Sequence, residues 1–249
     1  MRVKAVIAYD GSAFYGFQKQ TTTPHTVTQA IEKALASLQI DSAVVGSGRT
    51  DRGVHATGQV IHFDLPPFWQ DLQKLKLALN RRLDAIAFRH IAFVPDDFHA
   101  RFGAKRRYYR YLFKTSPLSV FERNYVGYYG EGFDVNTLKA ALGYFEGEHD
   151  FKLFHKTGSD IHTTVRHIFR TSYYRHKGYH VIGFEANGFL RSQVRMMVEA
   201  AMQTAQGRLT RASLQAQLAC TQQSITTLAP PQGLYLARIS YLQPSPTPL

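Results

Sequence analysis

Short apolar runs alternate with amphipathic stretches along this chain, and their order restricts the fold more than any other feature. Val3 to Tyr9 reads as a strand. Val27, Ala30, Ile31, Ala34, Leu35 and Leu38 then recur on one face of a helix, with Thr26 and Gln29 as a capping box. Ala43 to Val45 and Gln59 to Leu65 read as two more strands, Leu72, Leu75, Leu79 and Leu83 predict a second helix, and Ala85 to Val94 predicts a fourth strand. The order β-α-β-β-α-β is that of a ferredoxin-like or RRM-like unit.

The second half repeats the theme. Arg107 to Phe113 is strand-like and rich in tyrosine, and Asp134 caps a helix carrying Val135, Leu138, Leu142 and Phe145. Val165 to Tyr174 and Tyr179 to Ala186 form a hairpin across His176-Lys177-Gly178. Leu190, Val194, Met197, Val198, Ala201 and Ala205 mark a long helix ending at Gly207, and Leu234 to Tyr241 is a last strand. Glu146 to Thr164 reads as loop with a short helix, and Gln243 to Leu249 as an unstructured tail. The expected fold is α+β: two ferredoxin-like halves, 1–102 and 103–249, joined into one mixed, mainly antiparallel sheet flanked by helices.

Charge narrows the partners. Lys and Arg number 30 against 18 Asp and Glu, a formal charge of +12, which favours an anionic partner, nucleic acid first and a membrane surface second. No segment approaches the ~20 apolar residues of a membrane span. The short apolar run Ala5 to Ala8 meets Asp10 at once, unlike a secretory signal. The single cysteine, Cys220, permits no internal disulfide, so the expected setting is the cytoplasm. The same count excludes cysteine-rich zinc frameworks and the paired cysteines of a cytidine deaminase, and no His-Glu-x-x-His occurs.

Three constellations could carry chemistry. The first is Gly46-Ser47-Gly48-Arg49-Thr50-Asp51-Arg52-Gly53-Val54-His55-Ala56, which sets one carboxylate, Asp51, between two arginines in a glycine-rich loop. It lacks the third glycine of a dinucleotide fingerprint and the Gly-Lys-Ser/Thr of a P-loop. Asp51 reads either as a turn residue bonding local amides or as a nucleophile or general base. The second runs from Phe98 to Lys114, where Arg101, Lys105, Arg106, Arg107 and Arg110 interleave with Tyr108, Tyr109 and Tyr111. Strand alternation puts Tyr109 and Tyr111 on one face and Tyr108 and Arg110 on the other. Such a strand serves either as ordinary sheet or as an RNA track, with rings stacking on bases and cations on phosphates. The third is Arg191, Arg195 and Glu199, four apart on the long helix: an exposed salt-bridged ladder, or an arginine reaching toward a carboxylate in a cleft.

Together these strings resemble the tRNA pseudouridine synthase A family. Gly48-Arg49-Thr50-Asp51-x-Gly53-Val54-His55-Ala56 is similar to its signature. Tyr9-Asp10-Gly11-Ser12, Gly16-Phe17-Gln18, Phe98-His99-Ala100-Arg101-Phe102, Tyr109-Arg110-Tyr111, His149-Asp150-Phe151, Phe189-Leu190, Val194-Arg195, Ala229-Pro230 and Gly233-Leu234-Tyr235-Leu236 follow in register. Three positions depart from the pattern: Arg52 for the usual alanine, Phe17 for tryptophan and Ser47 for alanine.

The resemblance implies an active site in a cleft between the halves, a homodimer, tRNA as substrate, and neither cofactor nor metal. It implies isomerisation of uridine to pseudouridine at positions 38, 39 or 40 of the anticodon stem-loop. Asp51 would act on the ribose of a flipped uridine, by attacking C1′ or by removing a proton from C2′. Arg195 would pair with Asp51, Arg49 would help eject or replace the base, Tyr109 would stack on the uracil, and Leu236 would wall the pocket. Arg101, Lys105, Arg106, Arg107 and Arg110 would position the RNA. The competing expectation is a non-catalytic RNA-binding protein on the same frame, which gives no reason for an acid inside so cationic a loop.

Overall fold

The computed structural model describes residues 1–130, 132–158 and 162–241; the expected tail at Gln243 to Leu249 lies outside them. The chain forms two compact units, one of residues 1–105 with 236–249 and one of Arg106–Tyr235.

The first unit begins with β1 (Arg2–Tyr9), where Val3, Ala5, Ile7 and Tyr9 are buried and the residues between them are half-buried. That alternation is the strand period, and it faces one side of the sheet to a core. Helix α1 (Val27–Ala36) buries Val27, Ile31, Ala34 and Leu35, and Thr26 Oγ1 accepts from Gln29 N. Only half of the expected capping box closes, because Gln29 Oε1 has no hydrogen-bond partner among the described residues. The short β2 (Val45–Gly46) pairs with β3 (His55–Asp64), which starts four residues earlier than its apolar pattern indicated. Helix α2 (Leu72–Asn80) is capped by Asp71, which accepts from Gln73 N and Lys74 N at 2.9 Å. It packs on β4 (Ile86–Phe93). β1 lies antiparallel between β3 and β4. On its other side β3 neighbours the C-terminal strand β10 (Leu234–Ser240), most of which belongs to this unit. A strand flanked on both sides is buried nearly throughout, as β3 is.

The second unit holds β5 (Arg106–Lys114), the short β6 (Gly127–Tyr128) parallel to it, β7 (Gly147–Asp150), β8 (Val165–His176) and β9 (Tyr179–Ala186). The strand order is β5-β9-β8-β7, antiparallel at each step. The expected β8–β9 hairpin turns through Lys177 and Gly178, both at positive φ, the two-residue turn that matches strand twist. Helix α3 (Val135–Gly143) is capped by Asp134 and packs against α4 (Gln193–Ala205). Besides the short β6, two elements are additional to the sequence reading. β7 replaces the first part of the expected loop, and α5 (Arg211–Leu218) follows α4. No helix occupies the described residues between Glu146 and Thr164.

Candidate active site

The loop carrying Arg49 and Asp51 leaves β2 and returns as β3. It is held by hydrogen bonds to its backbone and by burial of Ser47, Thr50, Val54 and His55. Ser47 N donates to Val60 O at 2.8 Å, and Gln59 Nε2 donates to Gly48 O at 2.6 Å. Phe17 N donates to Thr50 O at 3.1 Å, Tyr9 Oη and Thr50 Oγ1 share a bond of 2.8 Å, and Val54 N donates to Asp51 O at 3.1 Å. The chain is therefore tied on both sides of Arg49 and through Asp51 itself, which gives a loop the rigidity that orientation of a reacting group needs. Asp51 is half-buried and Arg49 exposed.

Much of the clamp comes from residues 9–17, a segment that the sequence presents as parts of two family-like strings. Gly11 N donates to His55 Nδ1 at 2.9 Å, and Asp10 Oδ1 sits 3.3 Å from the same nitrogen. With Nδ1 acting as acceptor, the Asp10 contact is not a donated hydrogen bond; Asp10 instead takes Ser12 N and Ser12 Oγ at 2.9 and 2.6 Å. A Cβ on Gly11 would lie 2.1 Å from Val54 O, so only glycine lets the two backbones approach. Phe17 is 2 % exposed and lies against Gly46, where a Cβ would meet its ring at 2.4 Å. The departure at position 52 also finds a partner: the Arg52 guanidinium lies 4.2 Å from the centre of the Tyr15 ring, a cation–π contact at the loop's outer edge.

Leu236, in the same unit, is fully buried on β10. Arg101 and Lys105 are exposed there; the Arg101 guanidinium is 5.6 Å from the exposed Phe102 ring, and Lys105 N donates to Ser240 O at 2.8 Å.

The second unit carries the other candidates. On β5, Tyr109 and Tyr111 are buried, while Tyr108 and Arg110 are half-buried on the opposite face. Tyr109 stands opposite Phe184 of β9, with the Phe189 ring edge-on at 5.2 Å. Arg110 Nε is buried with no hydrogen-bond partner among the described residues. Arg106 lies 3.7 Å from Glu185, with its guanidinium 4.2 Å over the Phe169 ring. Arg107 Nη1 donates to Asn187 O at 2.7 Å.

Helix α4 is buried on most sides, and its half-buried residues are Arg195, Glu199 and Gln203, one stripe at a spacing of four. Arg195 Nε donates to Ala229 O at 2.8 Å and Ala229 N donates back to Arg195 O at 3.1 Å, so the Ala229-Pro230 string positions this arginine. Glu199 accepts from Tyr129 Oη at 2.8 Å and from Gln203 Nε2 at 2.9 Å. Arg191, expected on the same helix face, precedes the helix and donates to Thr157 O at 3.2 Å. The neighbouring Tyr111 is fully buried, and burial pushes its phenol well above the ordinary tyrosine range. Tyr129 escaped the sequence reading, since it lies in no charge or aromatic pattern that singles it out, and His55, though inside the glycine-rich string, carried no sign of its bond to Gly11 N.

A class now follows from these parts: an α+β protein whose Arg-Thr-Asp loop and arginine-bearing helix α4 both fall within one family profile. The profile for tRNA pseudouridine synthases matches residues 5–103 and 141–242. A tRNA pseudouridine synthase A of Campylobacter jejuni (strain RM1221) is 38% identical over 244 residues, covering 97% of this chain and 100% of that protein. One of Helicobacter hepaticus is 41% identical over 244 residues, covering 96% of this chain and 98% of its own length. Among solved structures, a chain of an archaeal box H/ACA sRNP Nop10-Cbf5 complex aligns with 80% of this chain and 44% of its own at 13% identity and a TM-score of 0.33. The chain belongs to the tRNA pseudouridine synthase family. Among the described residues, no helix is long and apolar enough to cross a membrane.

Proposed function

We propose that the protein isomerises uridine to pseudouridine in tRNA, at one or more of positions 38, 39 and 40 of the anticodon stem-loop, with Asp51 as the catalytic group. The carrying observation is the set of hydrogen bonds that tie the Arg49–Asp51 loop to Phe17 N, Tyr9 Oη and Gln59 Nε2. The reaction breaks the bond from ribose C1′ to uracil N1, turns the base and joins C5 to C1′; C5 loses its proton and N1 takes one up. It consumes neither water nor an electron carrier.

The uridine must leave its stack to be reached, at a cost of a few kcal/mol that contacts to base and phosphates offset. Asp51 acts at the ribose, by attack on C1′ or by removal of the C2′ proton, and both routes need a carboxylate held still. Arg49 aids ejection of the base, Tyr109 stacks on the uracil, Leu236 contributes apolar wall, and the Arg195 guanidinium partners the carboxylate. Arg101, Lys105, Arg106, Arg107 and Arg110 position the RNA backbone without reacting. By the same family analogy the enzyme works as a cytoplasmic homodimer, which sedimentation at micromolar concentration checks.

Release of tritium from tRNA labelled at uracil C5 tests the reading. The wild-type protein releases it; Asp51→Asn binds tRNA with unchanged affinity and releases none. Turnover by Asp51→Asn near the wild-type rate sinks the assignment. Tight binding by the wild type without release leaves an RNA holder in place of an enzyme.

A further inference from the structure

We infer that Arg107 and Arg166 form a phosphate clamp for the tRNA backbone at the Asn187–Gly188 turn, beside Tyr109. This rests on the proposed tRNA substrate and adds to it a residue, Arg166, that no motif singles out.

Topology brings the two arginines together. Strand β9 lies between β5 and β8, and its last residue, Ala186, pairs with Arg107 on one side and Ile168 on the other. Paired residues share a sheet face, and so do residues two apart along a strand. Arg107, Tyr109, Ile168 and Arg166 therefore all lie on the face to which Ala186 points. Beyond Ala186 the chain leaves the sheet as Asn187-Gly188-Phe189, and both guanidiniums follow it. Arg107 Nη1 donates to Asn187 O at 2.7 Å. The Arg166 side chain lies along Gly188, where a Cβ would stand 3.6 Å from Nε and 3.7 Å from Cδ. Arg166 Nη1 is steered by Thr163 O at 2.9 Å and Val165 O at 2.6 Å. The turn itself is pinned to β8, since His167 N donates to Asn187 Oδ1 and Asn187 N donates to His167 O, each at 3.1 Å.

The carbonyls that hold Arg166 set its direction without neutralising its charge. Backbone carbonyls aim a guanidinium but leave its full positive charge in place, and a guanidinium cannot shed its proton to relieve repulsion. Burial first, and the Arg107 charge second, lower the Arg166 pKa from its ordinary value, the signature of a cation held where cations are disfavoured. Among the described residues, Arg166 Nε and Nη2 have no acceptor, so one edge of the planar fork remains for a ligand. That edge, with the Arg107 guanidinium at the same turn, suits the tetrahedral, multiply accepting oxygens of a phosphate. Position matches the substrate: Arg107 precedes Tyr109 by two residues, about 7 Å along the strand, and Phe189 links the turn to the Tyr109 ring. A phosphate held here belongs to the nucleotide that Tyr109 contacts or to its neighbour.

The test uses the full-length protein, tRNA and the tritium-release assay. Arg166→Gln is expected to raise the tRNA Kd roughly tenfold at physiological salt, the loss of one charge-assisted contact. The slope of log affinity against log salt should fall by about one. Turnover at saturating tRNA should stay within about threefold of wild type, because the contact is made equally in ground and transition states. Arg166→Lys keeps the charge and should keep the slope while losing part of the affinity. An anticodon stem-loop with a single methylphosphonate next to the target uridine should cost the wild type affinity and cost Arg166→Gln almost nothing further.

Unchanged Kd and slope in a folded Arg166→Gln overturn the clamp. So does a fall in turnover alone, which marks a purely structural arginine. Should Arg166→Gln not fold, Arg107→Gln and the methylphosphonate series on the wild type decide by the same criteria. A wild type that binds tRNA but releases no tritium overturns the enzymatic reading instead and leaves the clamp to be judged on Kd and slope.

Discussion

Gly11 shows how little of the loop's support is visible in residue types. Its amide holds His55 and its missing side chain admits Val54 O to within 2.1 Å of where a Cβ would stand. Gly11→Ala must push two backbones apart in a region that is already tied, so it should destabilise the fold by about 3 kcal/mol. Denaturant unfolding should show a lower midpoint at unchanged slope. The string Tyr9-Asp10-Gly11-Ser12 could be matched to a family by its letters, and the profile match bears that family out. Its task as a clamp could not be read, because His55 and Val54 lie more than forty residues further along the chain. The same holds for Phe17: a large ring in a loop carries no signal until Gly46 is seen beneath it.

Among the elements, β3 is joined to the turn at residues 98–102 by a histidine that must stay neutral. His62 is 5 % exposed and its Nδ1 accepts from Ala100 N at 3.1 Å, with the Phe98 and His99 rings against it. Burial, then the nearby Arg2 and His99 charges, push its pKa down to about 4. Protonation would place a hydrogen on the accepting nitrogen and break the bond. Because the folded value lies below the unfolded one of ~6.5, the unfolded chain binds the extra proton first. The contribution of His62 is therefore complete above pH ~6.5 and declines as pH falls from there toward about 4. Unfolding measured across that range should weaken in the wild type. His62→Gln keeps an acceptor without a titrating ring and should lose stability less steeply with acid.

Periodicity alone located α1, α2, α3 and the β8–β9 hairpin, whose apolar residues repeat on one face. It failed for α5, where Leu214 and Leu218 are the only large apolar residues in eight, and for β7, four residues long and polar. Neither contains enough turns or alternations for a period to show.

For the molecule as a whole, an excess of twelve positive charges governs encounter with RNA more than any single contact. Association with tRNA should weaken at least about tenfold between 50 and 200 mM salt, as phosphate contacts release condensed counterions. A fluorescence titration at several salt concentrations measures this. A flat response would mean that the basic residues of β5 and β8 face something other than the backbone of an RNA.

Composition, local periodicity and short motifs settled the fold class, the order of most elements and the family, because each depends on residues near one another in sequence or on sums over the chain. Folding decided the rest. It brought β10 from the C-terminus beside β3, set residues 9–17 against the Asp51 loop, and converged Arg107 and Arg166 on a turn 21 residues beyond the nearer of them. These juxtapositions depend on strand pairing and core packing between distant segments, and such long-range contacts leave no periodic trace in the letters that make them.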